Sequence, residues 1–301
     1  LIYASLTLLC AFSYWLAGMS PFDAITHSFS TVSIGGFSTH DSSMAYFNSP
    51  AVNLITVAFL LISACNYALH FNAFSNLGKR NIFVSYFRDP EFRFFMFIQI
   101  ALVTICFFML LSNHHFDGTF KNLEQAAFQS VSISTTAGYT TSSFDQWPLF
   151  LPILLLFASF IGGCAGSTGG GLKVIRILVL SLQGKRELKR LIHPNLVYPI
   201  KLGKRVLDER VIQSIWAFFS AYLLVFVVCL LGVISCGVET FDAFNAVIAC
   251  LNNLGPGLGS VSSNFVSIPD SAKWILTLTM VCGRLEIFSL LVLFTPAFWK
   301  S

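Results

Sequence analysis

Three copies of one pattern recur along this chain. Each is an apolar stretch, a short amphipathic stretch, a polar turn containing glycine, and a second apolar stretch. The turns occupy 30–39 (Ser-Thr-Val-Ser-Ile-Gly-Gly-Phe-Ser-Thr), 134–141 (Ser-Thr-Thr-Ala-Gly-Tyr-Thr-Thr) and 252–259 (Asn-Asn-Leu-Gly-Pro-Gly-Leu-Gly). Placing Gly36-Phe37-Ser38-Thr39 on Gly138-Tyr139-Thr140-Thr141 brings the same residue types into register. A repeated helix, re-entrant turn and helix is how membrane proteins build an ion filter from backbone carbonyls, so the repeat constrains fold and function together.

Composition agrees. Apolar residues make up 55% of the chain and charged residues 11%, with 32 Phe, whereas a soluble domain carries about 25% charged residues. That deficit fits a chain solvated largely by lipid. Six stretches are candidate spans, at roughly 20 apolar residues per crossing: 1–18, 51–71, 92–111, 149–161 continuing to about 182, 211–234 and 274–299. The chain opens on Leu1 inside an apolar run, without the basic segment or cleavage site of a signal peptide; the expectation is a chain cut within its first helix. The eight Cys (Cys10, Cys65, Cys106, Cys164, Cys229, Cys236, Cys250, Cys282) form no C-x-x-C pair and read as small buried hydrophobes.

Charge sets an orientation. Lys79, Arg80, Arg88 and Arg93 fall between the second and third stretches. Lys173, Arg176, Lys185, Arg186, Lys189, Arg190, Lys201, Lys204, Arg205 and Arg210 fall between the fourth and fifth. The glycine-turn segments hold only Lys121, with Lys273 beside the last stretch. The positive-inside rule makes the basic loops cytoplasmic and sends the three turns in from the opposite side. A net charge of +4 spread over such loops argues for a solvated or docking face and against nucleic-acid binding.

Each repeat has a short helix before its turn: 21–29, 123–132 and 241–251. At about ten residues these reach only part way through a bilayer. Pro21 suits a first helical turn. The C-terminal ends carry partial negative charge directed inward, which favours a cation. The return through Thr, Ser and Gly is tolerated at membrane depth only where it lines a protein-enclosed or watery path. Gly36, Gly138 and Gly255 permit backbone angles that turn carbonyls toward a common axis. One such loop would read as an ordinary helix stop; three in equivalent positions argue for a filter.

The fourth stretch is interrupted at 161–171 by Gly162, Gly163, Gly166, Gly169, Gly170 and Gly171. Each glycine costs a helix about 1 kcal/mol relative to Ala, and a broken intramembrane helix marks a site or gate. Ser167 and Thr168 can satisfy the freed backbone groups. The spacing of Lys173 from the last glycine excludes a phosphate-binding loop. Arg284 and Glu286 lie within the last stretch, where charge is costly and points to a role. Arg284 either pairs with a carbonyl or Glu286, or faces the ion path and repels cations. Asp41, Asp117, Asp145, Glu239 and Asp242 fall on the outer side, as vestibule or as solvated loop charge. His40, His114 and His115 read as surface histidines, and Asn66, Tyr67, His70 and Asn72 as a helix–helix hydrogen-bonding patch. No nucleophile–base or paired-carboxylate arrangement supports an enzyme.

The motifs 29–41, 135–139, 162–173 and 252–259, with 88–93 and 283–286, make the chain resemble the TrkH family of bacterial potassium-uptake proteins, within the Trk/Ktr/HKT superfamily. The resemblance implies an all-α polytopic membrane protein of helix–pore loop–helix units around a pseudo-fourfold pore, three of the four units being present. They would fall at 1–75, 76–182 and 211–301, with a basic cytoplasmic connection at 183–210. It implies potassium bound by a filter of Val32, Ser33, Ile34, Gly35, Gly36, Thr135, Thr136, Ala137, Gly138, Asn253, Leu254 and Gly255. It implies a gate of Gly162, Gly163, Gly166, Ser167, Thr168, Gly169, Gly170 and Gly171, with Arg284 facing the pore. It also implies no cofactor, a bacterial inner membrane, contact with lipid, a homodimer, and a cytosolic TrkA-type nucleotide-binding regulatory subunit; charge alone offers 185–210 as its docking surface. A cation-coupled carrier and a non-conducting subunit stand as rival readings. The carrier would require an intramembrane carboxylate beyond Glu286.

Overall fold

The computed structural model describes residues 1–75, 82–203, 205–293 and 295–299, so Lys79, Arg80 and Lys204 of the basic loops lie outside the described residues. The first repeat holds α1 (Ile2–Leu16), α2 (Pro21–Val32), α3 (Pro50–Ser63) and α4 (Tyr67–Ser75). Pro21 opens α2 and the Ser20 hydroxyl accepts the amide of Asp23, so the chain itself writes the start of the half-helix. The second repeat holds α5 (Ile82–Arg88), α6 (Pro90–Ser112), α7 (Thr119–Ser134), α8 (Leu151–Ala158) and α9 (Val174–Ile192). A two-stranded hairpin follows, β1 (Lys201–Leu202) antiparallel to β2 (Arg205–Val206). The third repeat holds α10 (Glu209–Ser235), α11 (Thr240–Leu251), α12 (Asp270–Arg284), α13 (Phe288–Leu293) and α14 (Pro296–Trp299). The all-α membrane-type fold is as expected.

Two expected spans are not continuous helices. The stretch 51–71 bends by 88° between α3 and α4. At the bend the Ala64 carbonyl accepts the Cys164 amide at 2.8 Å, and the Asn66 side chain accepts the Ala68 amide at 2.8 Å. The stretch 274–299 breaks after Arg284, where Glu286 and Ile287 take positive φ of 54° and 44°. Among the described residues α6 and α10 alone are single helices long and apolar enough to cross a membrane, and the bent α3–α4 pair adds a third candidate. The boundary expected at 182 falls inside α9.

The half-helices α2, α7 and α11 occupy the interior. α2 packs on α1 and α3, α7 on α3, α6 and α8, and α11 on α8, α10 and α12. Polarity is inverted relative to a soluble protein. Gln129, Ser130, Ser132, Ser134 and Thr135 are buried, while Leu8, Phe97, Ile100, Phe108, Leu224 and Leu231 are exposed. When the solvent is hydrocarbon, apolar side chains lose nothing outside and polar ones need partners inside. Tyr14 illustrates this: its hydroxyl lies 2.8 Å from both Thr31 Oγ1 and Thr56 Oγ1, joining α1, α2 and α3, and Tyr139 approaches Thr31 at 3.3 Å. All eight Cys are free, five of them buried.

Tyr14→Phe removes this hydroxyl bridge and leaves buried Thr31 and Thr56 with fewer partners. The expected cost is about 1–3 kcal/mol, read as a lower thermal unfolding midpoint in detergent; an unchanged midpoint would refute the assigned role.

Candidate ion path

The three half-helices end in one and the same backbone motif. Ser33, Thr135 and Asn252 close them with φ, ψ of −79°, −6°; −81°, −6°; and −80°, −8°. The next residues, Ile34, Thr136 and Asn253, are left-handed, with φ of 53°, 68° and 56°. In each copy the amide after that residue bonds back five positions: Gly35 to the Ser30 carbonyl at 2.7 Å, Ala137 to Ser132 at 2.8 Å, and Leu254 to Ala249 at 2.8 Å. This is the Schellman helix stop, which normally places glycine at the left-handed position. Here a β-branched Ile and a Thr hold it, a strain of the kind kept at functional sites by the surrounding structure.

Two residues further on, Gly36, Gly138 and Gly255 have φ of 69°, 78° and 99°. The first two are required by close approach. A Cβ on Gly36 would lie 1.7 Å from the Ala137 carbonyl oxygen, and one on Gly138 would lie 1.9 Å from that of Leu254. Each turn therefore abuts the next in the order first, second, third. Gly255 has open space at the equivalent place, and the first and third turns face each other across a cavity of about 420 Å³. Among the described residues no protein donor bonds the backbone carbonyls of Ile34, Gly35, Thr136, Ala137, Asn253 or Leu254. Neighbouring side chains are already committed elsewhere: Ser132 Oγ to the Tyr139 carbonyl at 2.7 Å, Thr135 Oγ1 to that of Val131 at 2.7 Å, and Asn253 Nδ2 to that of Met280 at 3.1 Å.

On the side away from the basic segment the turns open into a cavity of about 720 Å³ whose wall includes Asp41 and Asp145. Asp117 and Glu239 do not line it. Asp242 instead accepts the amide and hydroxyl of Ser260. His40, expected at the surface, stacks on Tyr46 at 3.5 Å and lies 3.2 Å from Asp23. His27, unnoticed in the sequence, is fully buried between the Asp23 carbonyl and Ser38 Oγ and braces the strand leaving the first turn. In the expected polar patch, His70 bonds the Tyr86 hydroxyl and the Ile62 carbonyl.

The glycine-rich segment between α8 and α9 lies directly beneath the turns and touches all three half-helix ends. Thr168 Oγ1 donates to the Val32 carbonyl at 3.0 Å. A Cβ on Gly169 would lie 2.9 Å from the Thr135 carbonyl oxygen, and one on Gly170 would lie 2.2 Å from that of Asn252. The Gly170 amide donates to Thr136 Oγ1 at 2.7 Å. Gly162, with φ of 68°, is pressed against the Gly170 carbonyl, closing the segment on itself. Its base is pinned by the Cys164 bond to Ala64 and by the Ala165 amide, which donates to Glu91 Oε1 at 2.6 Å. Of the two hydroxyls expected to satisfy freed backbone, Thr168 does so, whereas Ser167 Oγ is buried without a partner.

Cations gather under this loop, around a cavity of about 210 Å³ lined by Ser167, Thr168, Lys173, Arg284 and Glu286. Lys173, expected in a solvated basic loop, is 8% exposed, and its Nζ donates to the carbonyls of Ser167 and Gly169. Arg176, grouped with the same loop in the sequence, pairs with Glu286 and lies 3.9 Å over the Phe218 ring. Arg284 donates to the Thr168 carbonyl at 3.1 Å and is not paired with Glu286. Sequence reasoning gave Glu91 no role of its own and missed the burial of Lys173. The signals available were a carboxylate as the fourth residue of a motif rich in charge and a lysine two residues after a glycine run.

The whole chain, residues 1–301, matches the TrkH family, described as cation transport protein. It is 62% identical over 300 residues to the Trk system potassium uptake protein TrkH of Vibrio parahaemolyticus, a match taking in 100% of this chain and 61% of that protein. The Escherichia coli K12 TrkH is 59% identical over 301 residues, covering 100% and 62%. The E. coli protein TrkG is 38% identical, covering 99% and 61%. A crystal structure of the potassium transporter TrkH from Vibrio parahaemolyticus superposes with a TM-score of 0.94 at 62% identity, over 99% of this chain and 64% of that one. The chain thus spans about three-fifths of the length of these relatives, which are named as transporters rather than enzymes. With a match that runs from its first residue to its last, the chain belongs to the TrkH family of cation transport proteins.

Proposed function

We propose that the chain lines a path for potassium uptake, with the three turns as walls of the filter and the glycine-rich segment as its gate. The observation that carries this reading is the set of backbone carbonyls on the turns without protein donors. A buried carbonyl left unmatched costs about 1–3 kcal/mol, and a partly dehydrated cation is the partner that such rings of carbonyls serve. The inward half-helix ends add partial negative charge at the same level. The relatives' names, which refer to potassium, set the choice of ion. Completing the ring takes a fourth wall at the open side of Gly255.

The gate reading is supported by the seat of the loop. Thr168, Gly169 and Gly170 each meet one half-helix end, and Lys173 and Arg284 hold the loop's carbonyls from below. Opening would require the loop to leave those ends and the two cations to move with it, lifting both an obstruction and a positive barrier. The bacterial inner membrane, the homodimer and the TrkA-type subunit belong to the same proposal. For that subunit the end of α9 and the loop after it offer Leu191, Ile192 and Val197, all strongly exposed on the basic face.

Potassium and sodium uptake in cells lacking their own potassium importers tests the filter, using the protein expressed from its own gene. Gly138→Ser drives a side chain into the Leu254 carbonyl and is expected to lower potassium preference by about tenfold, equivalent to about 1.4 kcal/mol. Wild-type preference in this variant would overturn the filter. Gly170→Ala cannot keep its seat under Asn252, and Arg284→Ala drops a loop contact and a positive charge; both are expected to raise flux several-fold without the regulatory subunit. Unchanged or reduced flux in both would overturn the gate while leaving the filter standing. Leu191→Asp with Val197→Asp is expected to weaken capture of the nucleotide-binding subunit; undiminished capture would move the docking site elsewhere.

A further inference from the structure

The basic face carries two kinds of cation. Arg186 is held by both carboxylate oxygens of Glu209, at 2.7 and 2.8 Å, and Arg190 reaches Glu187 at 3.3 Å, so these charges are neutralised within the fold. Lys185, Lys201 and Arg93 have no carboxylate at ion-pair distance among the described residues. Lys189 lies instead 4.1 Å over the Tyr198 ring.

Four of the unneutralised cations cluster, while Arg88, Arg205 and Arg210, which also meet no carboxylate among the described residues, lie off the cluster. Lys185, Lys189 and Lys201 rim a groove of about 390 Å³ between α9 and the hairpin, with Leu182 and Ile200 among its walls. Through Leu182 and Lys201 it adjoins a second groove of about 430 Å³, bounded by Arg93, Phe94, Leu178 and Leu202. The hairpin closes this second groove: a Cβ on Gly203 would lie 3.6 Å from the ring of Pro90, at the start of α6. Because α6 is one of the helices able to cross a membrane, its first turn marks the level where headgroups meet hydrocarbon. The combined groove thus sets Arg93, Lys185, Lys189 and Lys201 beside apolar walls at the start of a helix able to cross a membrane.

We propose that this groove binds an anionic phospholipid of the cytoplasmic leaflet. Lys185, Lys201 and Arg93 contact the headgroup phosphate, and an acyl chain lies along Phe94, Leu178 and Leu202. Basic pockets between helices at the cytoplasmic boundary have the charge and depth that such headgroups require, and long cationic side chains reach the interface from apolar walls. A soluble phosphate would meet the same cations but leave the apolar half of the groove without a purpose. The bound lipid would brace α9, which begins at the end of the glycine-rich segment, against α6.

The test is retention of phosphatidylglycerol by the delipidated full-length protein in detergent, counted by native mass spectrometry. Phosphatidylcholine of the same chain length and inorganic phosphate serve as comparison probes. The wild type and Lys185→Arg/Lys201→Arg are expected to retain phosphatidylglycerol about tenfold more tightly than phosphatidylcholine, with millimolar inorganic phosphate failing to displace it. Arg93→Gln/Lys185→Gln/Lys201→Gln is expected to lose that preference with its unfolding midpoint unchanged. A wild type without headgroup preference overturns the proposal even if the triple variant does not fold. So does a folded triple variant that retains phosphatidylglycerol normally, with loss of regulatory-subunit binding identifying a protein-docking face instead. Displacement of the lipid by inorganic phosphate would reassign the groove to a soluble anion.

Discussion

A helix that stops inside a membrane leaves carbonyls that neither water nor the next turn can reach, and the rest of this structure is arranged around that constraint. Three half-helices stop at matching places, each through a left-handed residue and a bond five positions back. The stop satisfies part of each helix end and leaves the carbonyls of the following residues free. Packing then brings the turns together so closely that Gly36 and Gly138 have no room for a side chain. The outer helices serve this arrangement by screening it from lipid, and the hydroxyl bonds of Tyr14 tie two of them, α1 and α3, to the half-helix α2.

The glycine-rich segment answers the same constraint from below. Its glycines are read less well as a source of looseness than as a fit: Gly162 and Gly170 are pressed on backbone within the segment and on α11. What holds it is a set of charged and polar groups drawn from distant parts of the chain, Glu91 at its base, Lys173 at its end and Arg284 from α12. The buried charges of Glu91 and Lys173 are costly in isolation and acceptable only because each meets a backbone group that the broken helix has freed; the exposed Arg284 meets one as well. A closed seat built from several such contacts can be biased by modest forces on any one of them, as the proposed gating role requires.

Charge on the basic face divides along similar lines. Arg186, which faces a carboxylate, fastens α9 to α10 through Glu209, while Arg93, Lys185, Lys189 and Lys201, which face none, line a groove beside α6 and α9. Net charge alone would not separate these two populations; position relative to Glu187 and Glu209 does.

Much of the architecture is legible in the chain. The three turns announce themselves by repetition, Pro21, Pro50 and Pro90 mark helix starts, and the run of glycines after Ile161 breaks a span where the structure breaks it. Two of the half-helices end later than their apolar periodicity, α2 at Val32 rather than 29 and α7 at Ser134 rather than 132, because their last turns are buried among protein and can be polar. The 88° bend after α3, the break after Arg284, the burial of Lys173 and the bond from Glu91 to Ala165 were decided in three dimensions. The physical reason is common to all four. Periodicity and composition record how a residue meets its neighbours in the chain and its solvent. Which distant backbone group lacks a partner, and which side chain can reach it, exists only once the helices are packed.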